Sequence, residues 1–401
     1  MKINSLNLLR NGIALSLLTS TLLHATNGDN LIAVGTKARG MGGTGIAISH
    51  GAESTLVNPA LITGIENTEI SFGGTLFMPD ITTTFQGAPS YNSDADTNII
   101  PEVSIAHKIN ENWFIGVGIW GTAGMGTDYS NAPLAPAGGN AQMVTNLQLL
   151  QFGVPIAYKA NGLSLAISPI LQYGNLDINY FNPIAGSNVG AGLAQDFGFG
   201  YSIGATYDLS SVGVNGLTVG AVYKSKIDME YKHQITTATG PFGLTLDDHL
   251  EQPAEIGLGL SYKINQHTLA FDYKKIKWSS AKGYSDFGWE DQNVYAFGYQ
   301  FEQDNWAVRA GYNYAKSAVV EVADPRLNFF NLLGFPATSE KHYTLGGTYE
   351  FNEHFSLDLA YVYSPESSKT FSTVGLPAPM PPALSTDHSE SSASFQLTYK
   401  F

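Results

Sequence analysis

The sequence predicts an all-β transmembrane protein, an outer-membrane β-barrel of about fourteen antiparallel strands. Three observations carry that expectation: an export leader on a low-charge, aromatic-rich chain, long runs of period-2 alternation, and connections that alternate short and long.

The leader comes first. Lys2 and Arg10 precede an apolar run from Ile13 to Leu23, and Leu23-His24-Ala25 is a small-residue cleavage site. The run is too short to span a bilayer, so residues 1–25 read as a secretory signal peptide. Removing Lys2 and Arg10 from the 20 basic residues leaves 18 against 34 acidic ones, and a net-negative exported chain excludes nucleic acid as a partner. With no cysteine there is neither a disulfide nor a thiolate metal site. Charged residues make up 13% of the chain while Phe and Tyr number 21 each, a balance that suits a barrel with an apolar outer face and aromatic girdles.

Alternation places the strands. In DFGFGYSIGATYDL (196–209) Phe197, Phe199, Tyr201, Ile203, Ala205, Tyr207 and Leu209 share one face, and small or polar residues share the other. Leu217 to Tyr231, Ala254 to Tyr262, Trp306 to Tyr314 and Phe355 to Tyr363 repeat the pattern. The predicted strands lie near 68–78, 99–109, 113–120, 144–158, 163–180, 196–209, 216–232, 253–264, 267–278, 293–301, 305–316, 340–351, 354–364 and 389–401. Most approach or exceed the length with which a tilted strand crosses a bilayer.

Between them, tight links at Asn110-Glu111-Asn112, Asn265-Gln266 and Asn352-Glu353 alternate with long segments at 79–98, 121–143, 181–195, 233–252, 279–292, 317–339 and 365–388. Short turns on one side and long loops on the other are a barrel's signature, and a soluble sandwich has no reason to segregate loop length by end. The last strand alternates to a terminal Phe401 and resembles the C-terminal signature by which a barrel-assembly machinery recognises outer-membrane barrels; it also has to pair with the first strand. The mature chain is expected to be monomeric, in contact with outer-membrane lipid and lipopolysaccharide.

Residues 26–66 precede the barrel 67–401 and are dense in glycine. Gly40, Gly42 and Gly45 spell G-x-G-x-x-G, but no strand precedes and no long helix follows, so the dinucleotide reading fails. Small residues here suit close packing against backbone inside a lumen. The run Gly35, Ala38, Met41-Gly42-Gly43-Thr44-Gly45, then Glu53 and Asn58-Pro59-Ala60-Leu61, just behind a leader and ahead of such a barrel, resembles the FadL/TodX family of outer-membrane transporters for long-chain fatty acids and other hydrophobic compounds. Further likenesses are Ala123 to Tyr129, Asp272-x-Lys274 with Trp278, Trp306-x-x-Arg309-x-Gly311-Tyr312 and His342-x-Thr344-x-Gly346. The resemblance implies an N-terminal hatch plugging the lumen, loops that capture an apolar ligand, hatch movement and lateral release, with no chemistry and no cofactor.

Candidate residues follow. Leu327, Phe329, Phe330, Leu333 and Phe335 give loop 317–339 an apolar density that reads either as a capture groove, with Met125, Tyr129 and Leu134 opposite, or as a cap packed on itself. Arg309, Lys263 and Lys274, with Lys224 and Lys226, face the lumen by strand phase and either hold a carboxylate headgroup or neutralise the inward acids Asp228, Glu230, Glu255, Asp272 and Asp358. Asn58, Pro59 and Ala60, with Gly42 and Gly45, are candidates for hatch gating, Asn58-Pro59 as pivot or as ordinary turn. The acidic stretches around Asp94 and Asp248 are either divalent-ion sites or solvated charges. The chain has no G-x-S-x-G and no H-E-x-x-H; an open porin for polar solutes and an outer-membrane lipid hydrolase are the alternatives.

Overall fold

A computed structural model describes residues 26–133, 141–182, 185–377 and 380–401; the expected leader (1–25) and Leu134 lie outside the described residues. The wall strands are β1 (Thr68–Phe85), β2 (Asn98–Lys108), β3 (Trp113–Asp128), β4 (Val144–Gly153, resuming as Ile156–Ala160), β5 (Leu163–Asn182), β6 (Ala194–Asp208) and β7 (Leu217–Lys224). They continue as β8 (Glu255–Ile264), β9 (His267–Ile276), β10 (Gln292–Gln303), β11 (Trp306–Ala315), β12 (Lys341–Glu350), β13 (Phe355–Ser372) and β14 (Ala383–Lys400). Each pairs antiparallel with the next, and β14 pairs back on β1 from Leu384↔Phe85 to Lys400↔Glu69. The sheet is therefore a closed 14-stranded barrel, and closure leaves no free edge.

The outer face is apolar because alternate residues have only lipid to meet. Phe199, Leu258, Phe297 and Leu345 are exposed at mid-strand. Aromatic pairs ring both borders: Trp113 with Tyr158 (5.0 Å) and Tyr399 with Phe401 (4.8 Å) on the turn side, Tyr273 with Tyr295 (5.5 Å) and Tyr312 with Tyr343 (5.2 Å) on the loop side. The lumen is filled by residues 26–66, through a short hairpin (Thr26–Asn27 with Asn30–Leu31), a helix at Thr36–Gly40 and two 3₁₀ turns at Gly51–Leu56 and Pro59–Gly64.

Three expectations need correction. Strands one, three, thirteen and fourteen are longer than predicted: β1 runs to Phe85, β3 to Asp128, β13 to Ser372, and β14 begins at Ala383. Their extensions, such as Asp80 to Thr84 and Ser364 to Thr370, are largely polar, so they rise above the lipid without the amphipathic signal that marked the spans. Strand seven, expected over 216–232, ends at Lys224. Ile227, Met229 and Tyr231 keep the alternation but fold into the lumen as an inner hairpin with bridges Ile227↔Gln252 and Glu230↔His249. They fit there because a Cβ on Gly198 or Gly174 would meet Met229 or Tyr231 below 3 Å. Consequently Lys226, Asp228 and Glu230, expected to face the lumen, are exposed instead. Asp228 is taken up by His249 (2.8 Å) and Lys282 (2.7 Å).

One seam of the wall is incomplete. The β2–β3 ladder runs only from Lys108↔Phe114 to Glu102↔Trp120. Beyond it, Asn98 to Pro101 pair with β1 alone, and β3 carries a bulge between Gly121 and Ala123 against β4. In place of β2, the N-terminal segment meets β3: Asn30 bridges Ala123, and Gly124 N–H donates to the Asp29 carbonyl (3.1 Å). Asp94 N–H to the Asp128 carbonyl (2.8 Å) closes the seam above.

Candidate functional site

On the loop side, a groove of about 250 Å³ is lined by Tyr180, Phe242, Phe329, Leu376 and Met380, with Arg326 at its side. Phe329 and Phe330 are fully buried and meet Phe242 at 5.3 and 5.2 Å, the first tilted and the second edge-on. Phe330 also touches Phe287 (6.2 Å), which belongs to a second, inner pocket formed with Met125, Leu176, Ile178, Tyr284, Trp289 and Phe335. That inner pocket is collapsed around about 10 Å³.

The loop residues named from sequence are thus brought together: Met125, Tyr129, Phe329, Phe330, Leu333 and Phe335 join one apolar cluster, with Leu327 packed on its flank. These residues pack on each other, and Phe329 and Phe335 each also line a cavity. Their partners Tyr180, Phe242, Phe287 and Trp289 were not legible beforehand, because nothing in the chain marks which loops meet above a barrel.

Below the inner pocket stands the tip of the N-terminal segment. Tyr284 O–H donates to the Asp29 carboxyl, Gln252 bonds the Asn30 side chain, and Trp278 covers Gly28, where a Cβ would lie 2.5 Å from the indole. Burial pushes the Asp29 carboxyl up to about 7. Beside the tip is a cavity of about 50 Å³ lined by Asn30, Ile32, Thr122, Ile170, Lys224, Glu255 and Lys274. It reaches the wall at Thr122, inside the bulge at the incomplete seam.

Behind the tip the segment is pinned by polar bonds. Glu53 accepts from Lys37 N–H (3.0 Å) and Ala38 N–H (2.8 Å), which caps the Thr36–Gly40 helix from outside it. Arg39 pairs with Glu102 of β2, and Asp272 of β9 accepts from Gly45 N–H (2.7 Å) and Ile46 N–H (2.9 Å). Gly42 sits at φ 69 with its backbone against Phe297, Gly311 and Tyr312, where no side chain fits. Its N–H donates to Thr344 Oγ1 (2.9 Å) and its carbonyl accepts from Asn313 (3.0 Å). Asn58 is fully buried: its Oδ1 accepts from Ala60 N–H (3.1 Å), and its Nδ2 donates to the Ile46 carbonyl (2.7 Å) and, at 3.4 Å, to Ala221 of β7. Asn58-Pro59-Ala60 is therefore a buried turn that caps a 3₁₀ helix and touches the wall.

The candidate bases separate. Arg309 is buried, bonding Gln300 and Thr348 Oγ1 (2.6 Å), with Asp358 at 3.6 Å; Asp358 also faces Lys37 at 3.8 Å. Lys274 points into the cavity beside the tip, donating to the Ile32 carbonyl at 3.4 Å, and Lys224 there pairs with Glu255 (3.5 Å). Lys263 pairs with Glu302 (2.9 Å) in a polar vestibule of about 390 Å³ on the turn side, with Lys159, Ser164, Asp208 and Gln300. None of the four reaches the loop groove; the base found there, Arg326, carries no mark in the sequence. Among the described residues no group of three or more acidic or histidine side chains could hold a metal ion. Asp94 accepts from Asn131 (2.7 Å), and Asp248 accepts from His233 N–H (2.7 Å) and Thr236 N–H (2.9 Å), so both serve the loops' own hydrogen bonding.

A closed barrel with aromatic girdles, a filled lumen and an apolar groove under its loops defines an outer-membrane channel. The particular family follows from comparison: a profile of the outer membrane protein transport proteins (OMPP1/FadL/TodX) matches residues 24–401, and the chain belongs to that family. It is a transport protein of the bacterial outer membrane and not an enzyme. Among relatives, the 47 kDa outer membrane protein of Pasteurella multocida is 24% identical over 82% of this chain and 85% of its own. The long-chain fatty acid transport protein of Escherichia coli O6:H1 is 26% identical over 79% and 82%. The same fold occurs in the Pseudomonas putida toluene transporter TodX, with TM-score 0.70, 18% identity and coverage of 93% of this chain and 99% of that one. It occurs also in a Pseudomonas aeruginosa FadL homologue, with TM-score 0.71, 16% identity and coverage of 93% and 100%.

Proposed function

We propose that the protein is a diffusion channel for uptake of hydrophobic molecules, long-chain fatty acids or aromatic and aliphatic hydrocarbons in class. The ligand is captured at the loop groove, admitted when the tip of the hatch moves, and released sideways through the seam between β2 and β3. The observation that carries this reading is the contrast between the two ends of the lumen. An apolar groove and inner pocket lead down to the tip, and the cavity beside the tip reaches the wall at Thr122 where strand pairing is missing. The vestibule beyond the hatch is polar, so an apolar solute has its lower-energy exit into the membrane.

In this reading residues 26–66 are the hatch, but its moving part is the tip at 26–34. Asn58-Pro59, with Gly42 and Gly45, anchors the body to the wall and does not serve as its pivot. Residues 1–25 are removed on export, and the chain works as a monomer among lipid and lipopolysaccharide. Phe401, whose ring is exposed and whose N–H donates to the Thr68 carbonyl (2.9 Å), is the assembly signal. A filled lumen speaks against an open porin for polar solutes.

The test is uptake of a radiolabelled apolar compound by cells carrying the protein as their only such channel. Phe329→Ala, Phe330→Ala and Leu333→Ala combined are expected to slow uptake at least tenfold while the barrel stays heat-modifiable on a gel. Unchanged uptake would refute capture at the groove.

A further inference from the structure

Charge is distributed unevenly along the apolar route. The inner pocket is walled by Leu176, Ile178, Phe287, Trp289 and Phe335, and its polar members are consumed by the protein itself. Asn331 donates to the Phe287 carbonyl (2.9 Å) and accepts from Trp289 Nε1–H (3.1 Å), and Tyr284 O–H donates to Asp29. Among the described residues no lysine or arginine lines this pocket.

The ionisable group behind Tyr284 is an acid. Asp29 is fully buried and its Oδ1 has no hydrogen-bond partner. Burial holds that carboxyl near 7, so it is largely ionised at pH 8. The bases lie elsewhere: Arg326 is paired twice over with Asp324 beside the outer groove, Lys224 and Lys274 share the cavity by the tip with Glu255, and Arg309 faces Asp358. An ionised carboxylate entering the inner pocket would lose its hydration, find no N–H donor in exchange, and face a buried acid of the same sign. An uncharged molecule meets none of these costs and gains the aromatic lining.

Resting on the uptake reading above, we propose that the inner pocket is a selectivity site for uncharged apolar molecules, hydrocarbons and their alcohols, and that it rejects ionised fatty carboxylates. The ligand enters by opening the collapsed pocket between Phe335 and Leu176.

The experiment is calorimetric titration of the full barrel in lipid nanodiscs at pH 8, with empty nanodiscs subtracted, using decan-1-ol and decanoate as probes of equal length. Decanol is expected to bind at least tenfold more tightly than decanoate. Phe335→Trp and, as a second pocket-filling change, Leu176→Phe should each abolish that binding in heat-modifiable protein. Ile178→Arg should bring in decanoate, and Asp29→Asn should narrow the gap between the probes. Decanoate binding as tightly as decanol to the native chain, or decanol binding that survives both pocket-filling variants, overturns the proposal while leaving the channel reading intact. If neither probe binds and neither is taken up by cells, the channel reading falls, and the selectivity site with it.

Discussion

At Gly42 a single hydrogen atom decides whether the hatch can seat. A Cβ there would lie 2.6 Å from the Phe297 carbonyl oxygen and the Tyr312 nitrogen, and the residue holds φ 69. Both neighbours are wall backbone, which cannot give way without breaking the ladder. Gly42→Val is therefore expected to weaken hatch docking by ~1–3 kcal/mol or more, the usual range for overpacking. The barrel should stay heat-modifiable while protease cleaves the hatch faster; equal cleavage rates would refute the close fit. Asp29 offers a second residue-scale prediction. Its carboxyl is raised by burial from 3.8 to about 7 in the seated tip, so docking binds a proton. That contribution is fully present below the undocked value near 3.8 and is lost as pH rises through about 7. Hydrogen-exchange protection of residues 26–34, corrected for intrinsic rates, is expected to fall between pH 5 and pH 8, and Asp29→Asn should flatten the profile. His50, lowered to about 3 by burial, works in the opposite sense in the hatch body, its contribution present above 6.5 and lost as pH falls through about 3. The tip is therefore the place to read the effect of Asp29.

At the scale of elements, the seam between β2 and β3 carries the most consequence. The bulge at Thr122 puts one extra residue on β3 against β4, and just beyond the end of the β2–β3 ladder Asn98 to Pro101 pair with β1 alone. Deleting Thr122 is expected to restore a continuous register, seal the seam and cut uptake of an apolar compound at least tenfold, while binding at the loop groove persists. Uptake at the native rate would place the exit elsewhere. The bulge was invisible in the sequence, since GTAGMG (121–126) has no alternation to break. The inner hairpin differs from its expected strand for a related reason. Ile227, Met229 and Tyr231 carry the period of a strand, but period reports only that one face is apolar, and an apolar lumen satisfies it as well as lipid does. By contrast β6, β8, β11 and most of the turn-side ends were legible, because both requirements on them, lipid outside and small or polar residues inside, are local to each strand.

For the whole molecule, the prediction concerns the lumen. Residues 26–66 occupy it through contacts with β2, β7, β9, β11 and β12, so in a planar bilayer the native barrel is expected to be nearly silent. Removal of those residues behind an intact leader should give large, steady ion currents. Similar conductance in both forms would mean that the hatch does not seal the lumen. The barrel, the alternation of its short and long connections and the glycine-dense segment ahead of it are legible from the chain alone, since each is written in periodicity, link length or local composition. Which aromatics meet under the loops, which bases are spent on acids and which strand seam stays open emerge with the fold. These depend on contacts between residues such as Phe242 and Phe329, Arg309 and Asp358, or Asn30 and Ala123, which are distant in the chain and carry no mark of each other. Only the folded sheet, with its loops and hatch packed on it, brings them together.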